Sequence, residues 1–152
     1  MLIDTHCHLN DEKLIEREDA IVGSFGTDGI ECAVCVGYDL PSSVLARDIA
    51  SRHDSVYFAP GIHPHDSDTA DDEKYAVIRE LASDKKAVAI GEIGLDYYYD
   101  NSIRELQKKA FCEQIELANE VELPIVLHVR DAYEDARKIL FDMKSYINCG
   151  LL

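Results

Sequence analysis

Residues 123–132 read LPIVLHVRDA, and this stretch carries the pattern that decides the fold. Its first half is an unbroken apolar run, which is typical of a strand buried on both faces of a parallel sheet. Pro124 suits the start of such a strand, where a missing N–H is tolerated. The run ends in His128, Arg130 and Asp131. The stretch therefore predicts a buried strand whose carboxyl end carries reactive side chains.

The same alternation extends along the whole chain. Apolar segments predict strands at residues 2–4, 32–36, 56–60, 87–90 and 125–128. Amphipathic segments between them predict helices at residues 11–24, 41–53, 71–83, 102–122 and 131–146. Repeated strand–helix units indicate an α/β fold with a parallel sheet covered by helices. The length suits an open doubly wound sheet better than an eight-unit barrel of roughly 250 residues. The glycine-rich phosphate loop of the open sheet is absent, however.

Local signals mark the starts of three predicted helices. Pro41 falls near a first turn, where its fixed backbone angle is favourable. Ser102 and Glu105 form the S-x-x-E pattern of a capping box, in which each side chain satisfies a free backbone N–H. Asp131 and Glu134 predict a similar start for the last helix.

Composition sets limits on the domain and on its partners. The chain has 152 residues, of which 47% are hydrophobic, so we expect residues 1–152 to form a single domain. The net charge of −15 gives a surface that repels polyanions. A nucleic-acid substrate must therefore be held locally, by metal ions and a few arginines rather than by the overall field.

Cysteine usage and hydropathy indicate a reduced, cytoplasmic protein. No apolar stretch approaches the roughly 20 residues of a membrane helix, and no signal-peptide pattern is present. The five cysteines are odd in number and lie mostly in apolar runs. Cys32 and Cys35 form a C-x-x-C pair within a predicted buried strand. We interpret the pair as structural, because a redox or zinc pair normally sits at a turn or a helix start.

Polar residues recur at the carboxyl ends of the predicted strands. In barrels and in open α/β sheets alike, active sites form at this edge. The candidate site residues are His6, His8, His63, His65, Glu92, Asp96, Tyr97, His128, Arg130 and Asp131.

The H-x-H pair of His6 and His8 predicts a metal site. Residues i and i+2 of a strand point to the same face, so the two imidazoles can bind one cation. Asp4 is available to orient one of the rings. The alternative is structural: His8 would cap the following loop and His6 would be a core histidine. Glu92 has two carboxylate oxygens and could bridge two cations. Its alternative role is to pair with an arginine or to cap a helix.

Three further candidates have less defined roles. Arg130 is suited to bidentate contact with phosphate, although an ion pair with a nearby carboxylate explains it equally well. For His63, contact with the substrate or its leaving group is favoured over metal ligation. His65 has either a substrate contact or a structural role in its loop.

Four motifs in order resemble the TatD family of metal-dependent hydrolases. They are DTHCHL at residues 4–9, GIHPH at 61–65, GEIGLDYY at 91–98 and LPIVLHVRDA at 123–132. The segment RELQKKAFCEQIELA at residues 104–118 also resembles the long helix between the fourth and fifth strands of that family. The family belongs to the amidohydrolase superfamily and has a TIM-barrel, (β/α)8, fold. Many of its members are deoxyribonucleases.

The resemblance implies roles for the site residues and two divalent cations, Mg²⁺, Mn²⁺ or Zn²⁺. His6 and His8 would hold one cation, Glu92 would bridge to the second, and His128 would bind that second cation. Glu92 and His63 would act in catalysis, which is the hydrolysis of phosphodiester bonds in DNA. The residues expected to contact the substrate are Arg130, His65, Asp96 and Tyr97.

The resemblance also implies an incomplete barrel. Only the first five β/α units and the start of a sixth strand, at NCGLL, fall within the sequence. The family's sixth-strand histidine and eighth-strand aspartate lie outside it. We therefore expect the 152-residue chain alone to be impaired or inactive, and to need the remaining part or self-association to complete the barrel. The alternatives are a hydrolase of a non-nucleic-acid ester or amide, and an inactive fragment.

Overall fold

Five strands alternate with five helices along the part of the chain that the structure, a computed structural model, describes, residues 2–143. The strands are β1 (Leu2–Cys7), β2 (Ile30–Val36), β3 (Val56–Ala59), β4 (Ile90–Asp96) and β5 (Ile125–Arg130). The helices are α1 (Glu18–Asp28), α2 (Leu40–Arg52), α3 (Asp72–Ala82), α4 (Arg104–Glu120) and α5 (Tyr133–Asp142). Short 3-10 turns occupy Ile15–Arg17 and Pro64–Thr69. The predicted α/β alternation is confirmed.

All strand pairs are parallel and follow chain order. One sheet has the order β1-β2-β3, and a second contains β4 and β5. A parallel bridge between Phe58 and Ala87 joins the two sheets. The backbone N–H of Gly91 also donates to the carbonyl of Pro60 at 2.9 Å. The five strands therefore form one continuous wall, and their carboxyl ends lie along the same edge.

The main core lies between this wall and the helices. It contains fully buried side chains from β3, β4 and helices α2, α3 and α4. The largest include Ile49, Phe58, Ile78, Ile93, Phe111 and Ile115. Burying side chains of this size contributes roughly 1.5–3 kcal/mol each. Packing of this core fixes the strand ends in space, and with them the site residues.

Two buried glutamines of α4 attach the helix to the site-bearing edge. Gln114 accepts from the backbone N–H of Ile62 at 2.8 Å and donates to its carbonyl at 2.9 Å. Gln107 makes the equivalent pair of hydrogen bonds with the backbone of Asp96, at 2.8 and 3.1 Å. Each glutamine therefore satisfies one N–H and one carbonyl of the backbone at or just beyond the carboxyl end of a strand, as buried polar groups require.

The fourth strand differs from the prediction. It spans Ile90–Asp96, whereas the sequence predicted residues 87–90, with Glu92 beyond the strand end. Gly91 and Gly94 both lie inside the strand. These positions require glycine because β5 approaches too closely to leave room for a side chain. A Cβ on Gly91 would lie 2.5 Å from Cβ of Val126, and one on Gly94 would overlap the carbonyl oxygen of His128. Glu92 therefore projects from the strand itself.

Two of the three helix-start predictions are wrong. Pro41 does lie in the first turn of α2, which Asp39 caps. Helix α4 begins only at Arg104 with no side-chain cap, and Ser102 Oγ is buried with no hydrogen-bond partner within residues 2–143. Asp131 has a positive φ of 53°, so it belongs to the turn before α5 and does not cap it.

Helix α1 also departs from the predicted residues 11–24. It starts later, at Glu18, because Asp11 organises a turn. The side chain of Asp11 accepts from the N–H of Lys13 at 2.8 Å, and its carbonyl accepts from Leu14 and Ile15. The helix then continues to Asp28 and ends at Gly29, which adopts the left-handed conformation that favours glycine.

The C-x-x-C pair is structural. Cys32 and Cys35 are three residues apart in β2, so they point to opposite faces of the strand. The thiol of Cys35 lies instead beside that of Cys7 across the β1–β2 pair, and this contact raises the pKa of the Cys7 thiol. Cys7, Cys32, Cys35 and Cys112 are free thiols. Cys149 lies outside the described residues.

The outer edge of the wall is exposed at β1. Leu2 and Ile3 are 64% and 59% exposed, although a strand of this composition normally packs on both faces. The predicted start of a sixth strand lies outside the described residues, as does the predicted helix beyond residue 143. No helix within residues 2–143 has the length and hydropathy to cross a membrane.

Candidate metal centre

The carboxyl edge of the sheet brings together most of the predicted site residues. His6 comes from β1, and His63 and His65 follow β3. Glu92 and Asp96 come from β4, and His128 and Arg130 from β5. A cavity of about 340 Å³ opens among them. Its lining residues are Tyr38, His63, His65, Asp66, Glu92, Asp96, Tyr99, His128 and Arg130.

Glu92 stands at the centre of the histidines. Its Oε2 lies 3.4 Å from Nε2 of His6 and 3.9 Å from Nε2 of His8. Its other oxygen, Oε1, lies 3.0 Å from Nδ1 of His128. Glu92 is only 9% exposed, and this burial opposes ionisation. Hydrogen bonds from His128 and His6 outweigh burial and hold the pKa of Glu92 well below its usual range. The carboxylate is therefore ionised at neutral pH and faces a histidine on each side.

The first group of possible ligands contains His6, His8 and Glu92. Nδ1 of His8 lies 3.1 Å from the carbonyl of Val36. If Nδ1 donates to this carbonyl, the free lone pair is on Nε2, which faces Glu92. Asp4 accepts from the backbone N–H of His6, not from its ring. The hydrogen bond to Glu92 raises the pKa of His6.

The second group contains His63, Glu92 and His128. His128 lies between two carboxylates, with Nδ1 3.0 Å from Glu92 and Nε2 3.0 Å from Oδ2 of Asp96. These hydrogen bonds, that with Glu92 foremost, raise the pKa of His128. In this geometry both ring nitrogens donate, so a cation bound by His128 must displace a proton.

His63 is held in one tautomer. Its Nδ1 accepts from the backbone N–H of His65 at 3.1 Å, so the neutral ring carries its proton on Nε2. Burial lowers the pKa of His63 to about 4, and the neighbouring charge of His128 adds to the effect. His63 is therefore neutral at pH 7, with an N–H available to donate. This geometry suits a hydrogen bond to a substrate oxygen better than ligation of a metal.

Asp96 is a buried hub, with no exposed surface. Its Oδ1 accepts from the backbone N–H groups of Tyr98 and Tyr99, each at 3.0 Å. Its Oδ2 contacts Nε2 of His65 at 2.9 Å and Nε2 of His128 at 3.0 Å. Burial opposes ionisation, but these hydrogen bonds lower the pKa of Asp96 to about 2. Both oxygens of Asp96 are occupied by these contacts and neither is exposed. The geometry therefore fits a positioning role better than the predicted direct contact with a substrate.

Tyr97 points away from the cavity. Its hydroxyl donates to Asp135 of α5 at 2.7 Å, and its ring lies beneath the guanidinium of Arg104 at 4.2 Å. Tyr97 therefore does not line the cavity of the histidines and instead borders a separate pocket with Asp131. The next two tyrosines, which sequence reasoning did not single out, stand at the mouth of the cavity with Arg130. Their position directly after a site-bearing strand was the available signal.

Arg130 forms no ion pair in the part of the chain that the structure describes. None of Asp131, Glu134 and Glu92 lies within salt-bridge distance of its guanidinium, and no other carboxylate within residues 2–143 does so. Asp131 itself is exposed in its turn and does not line the cavity. The ion-pair alternative for Arg130 is therefore wrong for the described residues.

A third histidine–carboxylate group lies away from the site. Nε2 of His53 is 3.0 Å from Glu18 and 3.3 Å from Asp19. Arg52 already donates to both oxygens of Glu18, at 2.6 and 2.8 Å. We interpret this group as an ion-pair network that joins α1 to the end of α2.

The donor atoms fit divalent cations. Nitrogen–oxygen separations of 3.0–3.9 Å around Glu92 are those expected when such atoms share a cation at roughly 2.0–2.2 Å. Imidazole with carboxylate suits Zn²⁺ and Mn²⁺, and carboxylate also suits Mg²⁺. Both groups could therefore hold a metal, and they share one carboxylate.

Comparison with known proteins gives a consistent result. A family model described as TatD related DNase matches residues 3–148. An uncharacterized metal-dependent hydrolase of Bacillus subtilis, YabD, is 43% identical over 140 residues, which cover 92% of this chain and 55% of that protein. The 3'-5' ssDNA/RNA exonuclease TatD of Cronobacter sakazakii is 34% identical over 132 residues, which cover 87% of this chain and 50% of that protein.

Solved structures agree on the fold. The crystal structure of YjjV, a TatD homologue from Escherichia coli, superposes with a TM-score of 0.84 and 26% identity, over 95% of this chain and 56% of that one. An amidohydrolase from Saccharomyces cerevisiae, with a TM-score of 0.80 and 21% identity, supports the fold alone. The chain spans about half the length of the relatives it matches. The α/β barrel class is confirmed, and the described strands are five of a partial barrel.

Proposed function

The chain belongs to the family of TatD-related DNases, and from that premise we propose that it is part of a divalent-metal-dependent hydrolase of phosphodiester bonds in DNA. The observation that carries the proposal is the position of Glu92. This single ionised carboxylate faces His6 and His8 with one oxygen and His128 with the other. Such an arrangement suits two cations that share a bridging ligand.

The residues divide into two cation-binding sets. His6, His8 and Glu92 would hold one cation, and Glu92 with His128 would hold the other. Mg²⁺, Mn²⁺ and Zn²⁺ are all compatible with these ligands. Bound cations would supply an activated water and stabilise the charge that builds on phosphorus.

Three further residues act on the substrate directly. His63 is neutral and carries its proton on Nε2, so it can donate to a phosphate or leaving-group oxygen as charge develops there. Arg130 pairs with no carboxylate of residues 2–143 and can bind a phosphate through its fork of N–H groups. His65, held by Asp96 at 2.9 Å, lies beside His63, with ring centroids 4.4 Å apart. It can contact the same substrate group.

Asp96 positions this machinery. It holds His65 and His128 through one oxygen and the backbone of the following loop through the other. Hydrogen-bond partners of this kind orient metal-binding histidines and sustain their affinity. We propose that Asp96 acts through these neighbours, in place of a direct contact with DNA.

We also propose that residues 1–152 form one incomplete domain, and that further strands cover its open edge. The exposure of Leu2 and Ile3 on β1 supports this proposal. The strands would come from additional β/α units or from a second copy of the chain, and the chain alone would be impaired or inactive until they are present. Light scattering tests whether a second copy of the chain supplies the strands. A stable monomer of the 152-residue chain with full activity would contradict both sources. The four free thiols in the described residues support a reducing, cytoplasmic setting.

A second candidate substrate is an ester or amide outside nucleic acid. The net charge of −15 favours it, because an acidic surface does not attract a polyanion. Bound cations polarise carbonyl groups as well as phosphoryl groups.

A comparison of substrates and variants tests the proposal. Single-stranded DNA should be cleaved in the presence of Mn²⁺, and EDTA should abolish the cleavage. His6→Ala and Glu92→Gln should each remove activity, whereas His53→Ala, in the remote histidine–carboxylate group, should retain it. Because this chain spans about half of its relatives, a version extended to their length is measured in parallel. Turnover of p-nitrophenyl esters without DNA cleavage would overturn the nuclease proposal in favour of the second candidate.

A further inference from the structure

Tyr98 and Tyr99 expose their rings at the mouth of the cavity. They directly follow β4 and are 59% and 53% exposed. Tyr99 lines the cavity and packs edge-on against His65, with ring centroids 5.5 Å apart. The two rings therefore place adjacent aromatic surface at the entrance of the proposed site.

The backbone of these tyrosines is fixed relative to the metal centre. Their two N–H groups donate to Oδ1 of Asp96, while Oδ2 of the same carboxylate contacts His65 and His128. The buried side chain of Asp96 therefore fixes the positions of both histidines and of the loop that carries the tyrosine rings. A binding surface held in advance loses little conformational freedom when a ligand arrives.

The rings form a corner around Arg130. They meet edge to face, with centroids 4.8 Å apart and an angle of 87°. The guanidinium of Arg130 lies 4.1 Å from the centroid of Tyr98 and 4.7 Å from that of Tyr99. Within residues 2–143, no carboxylate neutralises this guanidinium. An aromatic face and an unpaired cation thus lie side by side, which matches the base and the phosphate of one nucleotide.

We propose that Tyr98 and Tyr99 form a stacking platform for an unpaired nucleobase adjacent to the scissile phosphate, with Arg130 between the rings holding a phosphate of the same strand. The inference rests on the proposed function and names the residues that would bind an unpaired base at that site. The acidic surface strengthens it. A chain with a net charge of −15 gains little from overall electrostatic attraction to a polyanion. Stacking on an aromatic ring is largely independent of that field.

The platform makes single strands the preferred ligand. A base within a duplex is already stacked and paired, so its face becomes available only after unpairing. An unpaired base at a strand end meets the rings without that cost. The same oligonucleotide should therefore bind less tightly when it is annealed into a blunt duplex.

Binding of a probe oligonucleotide tests the platform without any need for catalysis. The probe is a short single strand of thymidines with one 2-aminopurine, whose fluorescence is quenched on stacking, titrated into the full chain in EDTA. The chain has no tryptophan and eight tyrosines, so the difference in tyrosine emission between the parent chain and a variant that lacks both rings is a second readout of the same contact. Replacement of both rings, Tyr98→Leu with Tyr99→Leu, should weaken binding by about tenfold and remove the quenching.

Two matched variants isolate the role of the rings. Tyr98→Phe with Tyr99→Phe keeps both aromatic faces and should bind within about twofold of the parent chain. Tyr133→Leu removes a 70% exposed tyrosine from α5 and should leave binding unchanged. Unaltered far-UV circular dichroism shows that each variant remains folded.

The results separate the platform from the proposed function. Unchanged binding in the leucine variant, equal loss in the phenylalanine variant, or no quenching with the parent chain would each overturn the platform. Quenching that depends on the rings, together with no cleavage after Mn²⁺ is added to the extended protein, would uphold the platform and reject the hydrolase. Cleavage of DNA by the extended protein, with no loss of binding in the leucine variant, would uphold the hydrolase and reject the platform.

Discussion

Replacement of Asp96 by asparagine removes one negative charge from the buried hub. The amide oxygen can still accept from the N–H groups of Tyr98 and Tyr99. The amide nitrogen, however, takes the place of the oxygen that faces His65 and His128. It cannot accept a hydrogen bond from either ring. The substitution therefore keeps the shape of the side chain and loses its charge-assisted contacts.

The magnitude follows from the pKa of Asp96. Its carboxyl group has an ordinary value of 3.8, which the four hydrogen bonds lower to about 2. This difference corresponds to about 2 kcal/mol in the free energy of unfolding. Because the folded pKa is depressed, the contribution is fully present above about pH 4 and is lost as the pH falls toward 2. Roughly half of it remains at pH 3.

Urea unfolding of the metal-free chain, followed by circular dichroism, measures the loss. Asp96→Asn should lower the free energy of unfolding by about 2 kcal/mol at pH 7 and by about 1 kcal/mol at pH 3. Asp100→Asn is the matched control, because Asp100 is exposed in the same loop and pairs with Arg104 on the surface. Such a pair contributes little. A loss below about 0.5 kcal/mol at pH 7 would show that the hydrogen bonds to Asp96 do not stabilise the fold as its lowered pKa implies. So would a loss that does not change with pH.

Two further predictions concern Glu92 and Gln114. In metal-free protein, Glu92→Gln should lower the pKa values of both His6 and His128, since the carboxylate of Glu92 is the largest cause that raises each of them. NMR titration of the histidines measures both pKa values, and an unchanged pKa at either residue would contradict the prediction. Gln114→Leu should destabilise the fold by about 2–4 kcal/mol, because it leaves the N–H and carbonyl of Ile62 buried without partners. Urea unfolding with a loss under about 1 kcal/mol would show that the backbone finds other partners.

The alternation of strands and helices and the edge that carries the site could be predicted, because apolar runs followed by polar residues report the ends of buried parallel strands directly. The bounds of the fourth strand could not. Gly91 and Gly94 resemble strand ends in the sequence, yet both are required where β4 approaches Val126 and His128 of β5. Close contact between two strands is a tertiary property that a local pattern does not contain.

The capping predictions failed for a related reason. Ser102 is one of the residues just before α4, and the S-x-x-E pattern alone predicts that it caps the helix. In the fold, Gln107 donates to the carbonyl of Ser102 at 2.8 Å and Ile103 takes the cap position. The buried side chain of Gln107, one turn into the helix, therefore determines the conformation at the start of α4, and the S-x-x-E motif does not.

The sequence did contain a signal for the buried glutamines. Gln107 and Gln114 are seven residues apart and share the buried face of α4 with Ala110, Phe111 and Ile115. Polar residues at that spacing on an apolar face indicate buried groups with specific partners. Identification of those partners, the backbones of Ile62 and Asp96, required the fold.

Anomalous diffraction from crystals soaked in Zn²⁺ tests the central claim, that Glu92 is shared between two cation sites. Two peaks are expected, one on each side of this carboxylate. One should lie about 2.0–2.2 Å from nitrogens of His6 and His8, and the other at that distance from a nitrogen of His128. A single peak that excludes Glu92, or peaks only at the group formed by Glu18 and His53, would contradict this claim.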